Sequence, residues 1–98
     1  MSDIPNGVAL ITGAAQGLGR SIALRLATDG FDIALNDLPA KDEQLRALAA
    51  EIENLGRKTC IVPADVSEEN QVKQMIDSTV EQLGGLYVVC SKTNLDLS

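Results

Sequence analysis

Apolar positions along this chain alternate between short continuous runs and stripes at helical spacing. Residues 8–12, "VALIT", form a run of strand length. From Leu18 the period changes: Leu18, Ile22 and Leu26 recur at helical spacing, and Asp29-Gly30 reads as a stop. "FDIALN", 31–36, is a second strand, and Pro39 marks the approach to another helix. Residues 41–55 predict an amphipathic helix with Leu45, Leu48, Ile52 and Leu55 on one face and Gly56 at its C-cap. "KTCIVPAD" predicts a third strand ending at Pro63. Ser67 then offers an N-cap, with Glu68 and Glu69 in the first turn where a helix dipole favours anions. Val72, Met75, Ile76, Val80 and Leu83 make an apolar stripe, Gly84-Gly85 ends that helix, and "LYVVC" is a fourth strand. The tail "SKTNLDLS" is polar and aperiodic. The order βαβαβαβ with short connections predicts a parallel sheet with helices on its faces. Its strands read as apolar on both faces, as a buried parallel sheet requires.

Composition narrows this picture only a little. The chain has 98 residues, enough for one domain. Aromatic content is 2%, so the core must be built from Leu, Ile, Val and Ala. A net charge of -6 repels phosphate backbones and argues against nucleic acid as a partner. No apolar run approaches the roughly 20 residues of a membrane span. The start "MSDIPNG" lacks a basic region followed by an apolar one, so a cytoplasmic setting is expected. Cys60 and Cys90 show no CxxC spacing, and each closes an apolar run, as a small buried thiol would. Histidine is absent, which removes the commonest general base and metal ligand, and no metal site is expected.

The chemistry concentrates in "ITGAAQGLGR", residues 11–20, which follows a strand and opens a helix. A first helical turn has free N–H groups and the positive end of a dipole, and so attracts a phosphate. Gly13 suits the tight turn, Gly17 lets a pyrophosphate approach the backbone, and Gly19 lets the helix pack close. The spacing is G-x-x-x-G-x-G, not the commoner G-x-G-x-x-G. The phosphate loop of nucleotide hydrolases fits badly: Ala14 stands for its first glycine and Arg20 for its lysine. Asp37 lies 18 residues beyond Gly19, where a carboxylate would accept from an adenosine 2′-hydroxyl and repel a 2′-phosphate. With no Arg or Lys beside it, NAD is favoured over NADP. The alternative to ribose binding is a loop Asp that opens a turn before Pro39. Asp65 sits at the same carboxyl edge, to meet the adenine or to help cap the next helix with Ser67.

These residues carry a family resemblance. "TGAAQGLG" resembles the TGxxxGxG signature of the short-chain dehydrogenase/reductases, "ND" at 36–37 their NAD-selecting acidic position, and "ADVS" at 64–67 their D-V segment. The match runs from about Val8 to Val89. Within the family, "IALRLATDGFDIALND" and "EQLGGL" are most similar to bacterial and fungal acetoin or diacetyl reductases. The resemblance implies a Rossmann-type three-layer α/β fold. Gly13, Gly17 and Gly19 would cradle the pyrophosphate and Gln16 and Leu18 line the loop. Asp37 would hold the ribose, and Asp65 and Val66 border the adenine. Gln16, where NADP users often carry a basic residue, again points to NAD.

After strand four the family pattern stops. Where the family carries Asn-Ala-Gly, this chain runs "VVC" into Ser91-Lys92-Thr93-Asn94. The family's catalytic Asn, Ser and Tyr-x-x-x-Lys pair follow still further downstream, so no catalytic residue is assigned. The only tyrosine, Tyr87, has Ser91 at i+4 and Lys92 at i+5, and reads as a packing residue of strand four. The family sheet has about seven strands in order 3-2-1-4-5-6-7, of which this chain supplies the first four. The expectation is one partial NAD(P)-binding domain over 1–98, with 90–98 a divergent tail. It reads as a truncated product: the cofactor-binding half of an NAD-dependent alcohol/carbonyl oxidoreductase, inactive alone. The alternative is an NAD-binding or edge-strand module without catalysis. "LYVVC" would then be an uncharged edge open to a second copy or to a full-length relative.

Overall fold

A computed structural model of the chain describes residues 7–85 and the backbone of residues 88–90. In chain order the elements are β1 (Gly7–Ile11), α1 (Gly17–Thr28), β2 (Phe31–Leu35), a 3-10 turn (Pro39–Lys41), α2 (Asp42–Asn54), β3 (Thr59–Ile61), α3 (Glu69–Leu83) and β4 (Val88–Cys90). The strands form one sheet in the order β3-β2-β1-β4, and every neighbouring pair is parallel. This is the order the family resemblance implies. α1 and α2 step the chain outward from β1 to β3 on one face, and α3 returns across the other to set β4 beside β1. The strand order therefore reverses between β1 and β4, which leaves a crevice beyond their carboxyl ends. The expected strand residues Leu86 and Tyr87, and the 91–98 tail, lie outside the described residues.

The two faces of the sheet follow from strand alternation. Ala9, Ile11, Ile33 and Leu35 face α1 and α2, where they meet Ala23, Ala27, Leu45, Leu48 and Ile52. Leu10 and Ala34 face the other way and pack with Cys60, Val62, Ala64 and Met75. Burial pushes the Cys60 thiol up to about 11, so it is a protonated core residue, as its position in the sequence suggests. Among the described residues no helix is long and apolar enough to cross a membrane.

Several details differ from the sequence pattern, each for a physical reason. α1 turns its smallest residues inward: Gly19, Ala23 and Ala27 are buried, while Leu18 is 48% exposed. Those small residues let the helix axis sit close to the sheet. Leu55 is exposed because α2 ends at Asn54 and the chain turns away through Gly56 at φ +86. On α3, Thr79 is buried and Val80 is exposed. Thr79 shares a face with Val72, Met75, Ile76 and Leu83, while Val80 lies about 100° further round. The Thr79 hydroxyl donates to the Met75 carbonyl at 2.9 Å, so its burial leaves no donor unpaired. β3 stops at Ile61, short of Pro63; the ladder then makes one last bond, from the Val62 N–H to the Leu35 carbonyl.

β2 is not apolar throughout. Asp32 is buried near its amino end, and its Oδ1 accepts from Arg57 Nε at 3.1 Å, Arg57 Nη2 at 2.9 Å and the Lys58 N–H at 3.1 Å. The charge is thus neutralised inside, and the pair latches β2 to the segment entering β3. Ser67 does not cap α3. Its hydroxyl donates to Asp65 Oδ1 at 2.7 Å, and the helix begins two residues later with Glu68 at the N-cap.

Candidate dinucleotide-binding edge

The carboxyl ends of β1, β2 and β3 lead into three connections that meet along one edge. The first is the glycine turn before α1. Gly13 and Gly17 have φ of +66 and +61, the left-handed region that residues with a Cβ avoid. Gly19 has a different requirement: a Cβ there would lie 2.2 Å from the Gly13 carbonyl oxygen. The turn is therefore folded back onto the first turn of its own helix. Beside Gly17 the reverse holds: its chain neighbours and the helix's own backbone aside, no described residue lies within 4 Å of the point a Cβ would occupy. That open space stands at the N-terminus of α1. Gln16 caps no N–H with its side chain, and the first turn holds no acidic residue. α2 and α3 instead begin with Asp42, Glu43 and Glu69. The partial positive charge at the amino end of α1 is thus offset by no acid within its own first turn.

The second connection follows β2. The Asp37 carboxylate reaches back across 22 residues, and its Oδ2 accepts the Ala15 N–H at 3.0 Å. Oδ1 accepts the Leu38 N–H at 2.8 Å. Asn36 beside it is buried, and its backbone carbonyl accepts from the Ala14 N–H at 2.8 Å. The Asn36 amide donates to the Val62 carbonyl at 2.9 Å and to the Ala64 carbonyl at 3.3 Å. The Ala64 N–H in turn donates to the Asp37 carbonyl at 3.1 Å. Asn36 and Asp37 thus join the glycine turn to the third connection.

In that third connection, residues 62–68, Asp65 Oδ1 accepts the Ser67 N–H at 2.9 Å as well as the Ser67 hydroxyl. These bonds hold its carboxyl below the ordinary value of 3.8. The Asp65 N–H donates to the Gln71 side chain at 2.8 Å. Val66 is exposed.

All the residues expected to bind cofactor therefore lie in the three connections of this edge or, for Gly17, Leu18 and Gly19, in the first turn of α1. Gly13, Gly17, Gly19 and Asp37 are drawn together through the Gly13–Gly19 contact and the Asp37–Ala15 bond. Gln16 and Leu18 flank them, exposed. Asp65 bonds to Ser67 in its own turn and to Gln71 of α3, and among the described residues no hydrogen bond joins it to Asp37 or the glycine turn. Pattern reading passes over Ala15 and Asn36, which carry the cross-connections. For Asn36 the available signal is an amide side chain closing an apolar strand directly before an acid. Among the described residues, no three His, Cys, Asp or Glu side chains gather to hold a metal.

This fold and edge are those of the short-chain dehydrogenases, and the chain belongs to that family: residues 7–93 match it. It is 57% identical over 90 residues to a short-chain dehydrogenase/reductase of Armillaria gallica, covering 92% of this chain and 34% of the relative. It is 41% identical over 88 residues to the L-2,3-butanediol dehydrogenase of Corynebacterium glutamicum, covering 90% and 34%. A dehydrogenase/reductase from Sinorhizobium meliloti 1021 superposes with a TM-score of 0.85 at 35% identity, over 91% of this chain and 35% of that one. Two further solved relatives hold cofactors. Carveol dehydrogenase from Mycobacterium avium, in complex with NAD, has a TM-score of 0.79 at 34% identity over 91% and 36%. A short chain dehydrogenase from Burkholderia cenocepacia J2315, in complex with NADP, has 0.82 at 35% over 90% and 36%. The chain spans about a third of the length of the curated relatives it matches.

The residues present fit the adenosine and pyrophosphate parts of such a cofactor. The space beside Gly17 is open, the helix end behind it is positive, and a carboxylate stands at the end of β2.

Proposed function

We propose that this segment is the cofactor-holding part of an NAD-dependent alcohol/carbonyl oxidoreductase and that alone it turns over no substrate. The glycine turn would bind the pyrophosphate through its N–H groups. Asp37 would accept from the adenosine ribose, and Asp65 and Val66 would border the adenine. When bound, the nicotinamide supplies the hydride acceptor or donor. Small hydroxy-ketones are the proposed substrates of the whole enzyme, supported by the likeness to a butanediol dehydrogenase. The proposed lack of turnover rests on the absence of a Tyr-x-x-x-Lys pair from residues 1–98.

The preference for NAD rests on one observation: among the described residues Asp37 is held by two N–H groups and by no cation. A 2′-phosphate there would face an unneutralised carboxylate. Arg20, the nearest arginine to the turn in sequence, is paired with Glu51. Titration of the chain with NADH and NADPH, followed by nucleotide fluorescence, tests this. NADH should saturate at least tenfold tighter; equal or tighter NADPH binding overturns the preference. Addition of diacetyl should then give no NADH oxidation above background.

A second reading, a binding module that pairs through its sheet edge, draws on β4. Among the described residues β4 pairs with β1 alone, at the end of the sheet. Gel filtration that returns a monomer at all concentrations would remove it.

A further inference from the structure

We infer that Asp37 is also a positioning residue: its carboxylate fixes the glycine turn in its ligand-ready shape before any ligand arrives. This rests on the ribose reading only for the second of its two readouts. The turn contains two glycines at positive φ, Gly13 and Gly17, residues that give a chain wide conformational freedom. Something outside the turn must therefore select one shape. Two successive amides are held by two successive residues of another element: the Ala14 N–H by the Asn36 carbonyl at 2.8 Å and the Ala15 N–H by Asp37 Oδ2 at 3.0 Å. The second acceptor is charged, which strengthens the bond. It is also braced, since Oδ1 is held by the Leu38 N–H and the Asp37 carbonyl by the Ala64 N–H. Asn36 is anchored to the Val62 and Ala64 carbonyls behind it.

A carboxylate has about four lone-pair directions, and two of these are engaged by amides. The others remain for hydroxyl donors, so positioning the turn and receiving a ribose do not compete. Replacing Asp37 to admit a 2′-phosphate would then loosen the pyrophosphate turn at the same stroke.

The test uses the full 98-residue chain. Site-resolved amide hydrogen exchange, without ligand, compares Ala15 with Leu10 in the core of β1. In Asp37→Ala, protection of Ala15 should fall at least tenfold more than that of Leu10. Asp37→Asn, which keeps one carbonyl acceptor, should fall between. Equal losses at both amides would mean a general loss of stability and would overturn the inference. The second readout is the affinity for NADH and for its 2′-deoxyadenosine analogue. If Asp37 served the ribose hydroxyl alone, Asp37→Ala would bind the analogue as the parent does. A positioning role predicts a further loss of about tenfold for the analogue, and unchanged or tighter binding contradicts it. A parent chain that fails to bind NADH removes the ribose reading, while the exchange comparison still decides the positioning role.

Discussion

β2 carries a carboxylate near each end, and the two have opposite fates. Asp32, near its amino end, is buried against Arg57 and takes three donors on one oxygen. Asp37, just past its carboxyl end, is half-buried and held by two backbone amides. The first charge is neutralised by a fixed cation and closes the structure there. The second keeps its negative field and part of its accepting capacity. A carboxylate balanced by a cation spends its charge on the fold; Asp37, which among the described residues meets only backbone amides, does not.

The largest effect should come from breaking the closed end. Asp32→Ala leaves the Arg57 guanidinium without its partner and should cost about 3–5 kcal/mol, read from urea unfolding by circular dichroism. The double variant Asp32→Leu, Arg57→Met should recover most of that loss, because an apolar pair avoids the cost of desolvating two charges. A double variant as unstable as the single one would show that the latch has a further task.

At the open end, Gly19→Ala should follow, at about 2 kcal/mol, because the added methyl meets the Gly13 carbonyl. Gly17→Ala enters open space and should cost about 1 kcal/mol from its backbone angle alone. If the two variants had equal urea midpoints, the close contact would not be shaping the turn.

Asp37→Ala should cost about 1 kcal/mol through its lost hydrogen bonds and should also remove the proposed preference for NADH over NADPH. Asp32 variants that remain folded should keep that preference. Paired nucleotide titrations of both variants therefore separate the two ends of β2.

The smallest effect concerns Asp65. Its carboxyl is held below 3.8 by the Ser67 hydroxyl and amide. A lowered folded value stabilises the fold above the unfolded one, and that contribution is lost as pH falls through the lowered value. Ser67→Ala removes the hydroxyl and should raise the Asp65 carboxyl toward its ordinary value in an NMR titration. The acid-side fall of the urea midpoint should change slightly, between about pH 5 and pH 2.

Much of the fold is written in the spacing of apolar residues. The alternation of strands and helices, the Gly56 and Gly84 stops and the two-faced core all follow from it. The glycine turn and Asp37 are legible because their chemistry needs particular residue types at particular separations. What pattern reading misses are the choices made by packing. Thr79 takes the inward place assigned to Val80 because the helix rotates to seat Met75 and Ile76. Ser67 has two uses open to its hydroxyl, and Asp65, two residues away, takes it from the helix. Asp32 and Asn36 look like polar interruptions of an apolar strand until their partners, 25 and 26 residues away, arrive in space.

The hydrogen bonds of Asn36 also bear on grafting. Residues 7–37 contain the first strand, the glycine turn, its helix, β2, and the two acceptors just past β2 that hold the turn. They look like a portable nucleotide cradle. Yet the Asn36 amide takes its partners from outside that stretch, at Val62 and Ala64. A host scaffold must offer two backbone carbonyls at those places. One that does not would receive the glycine motif intact and lose the posture of the turn.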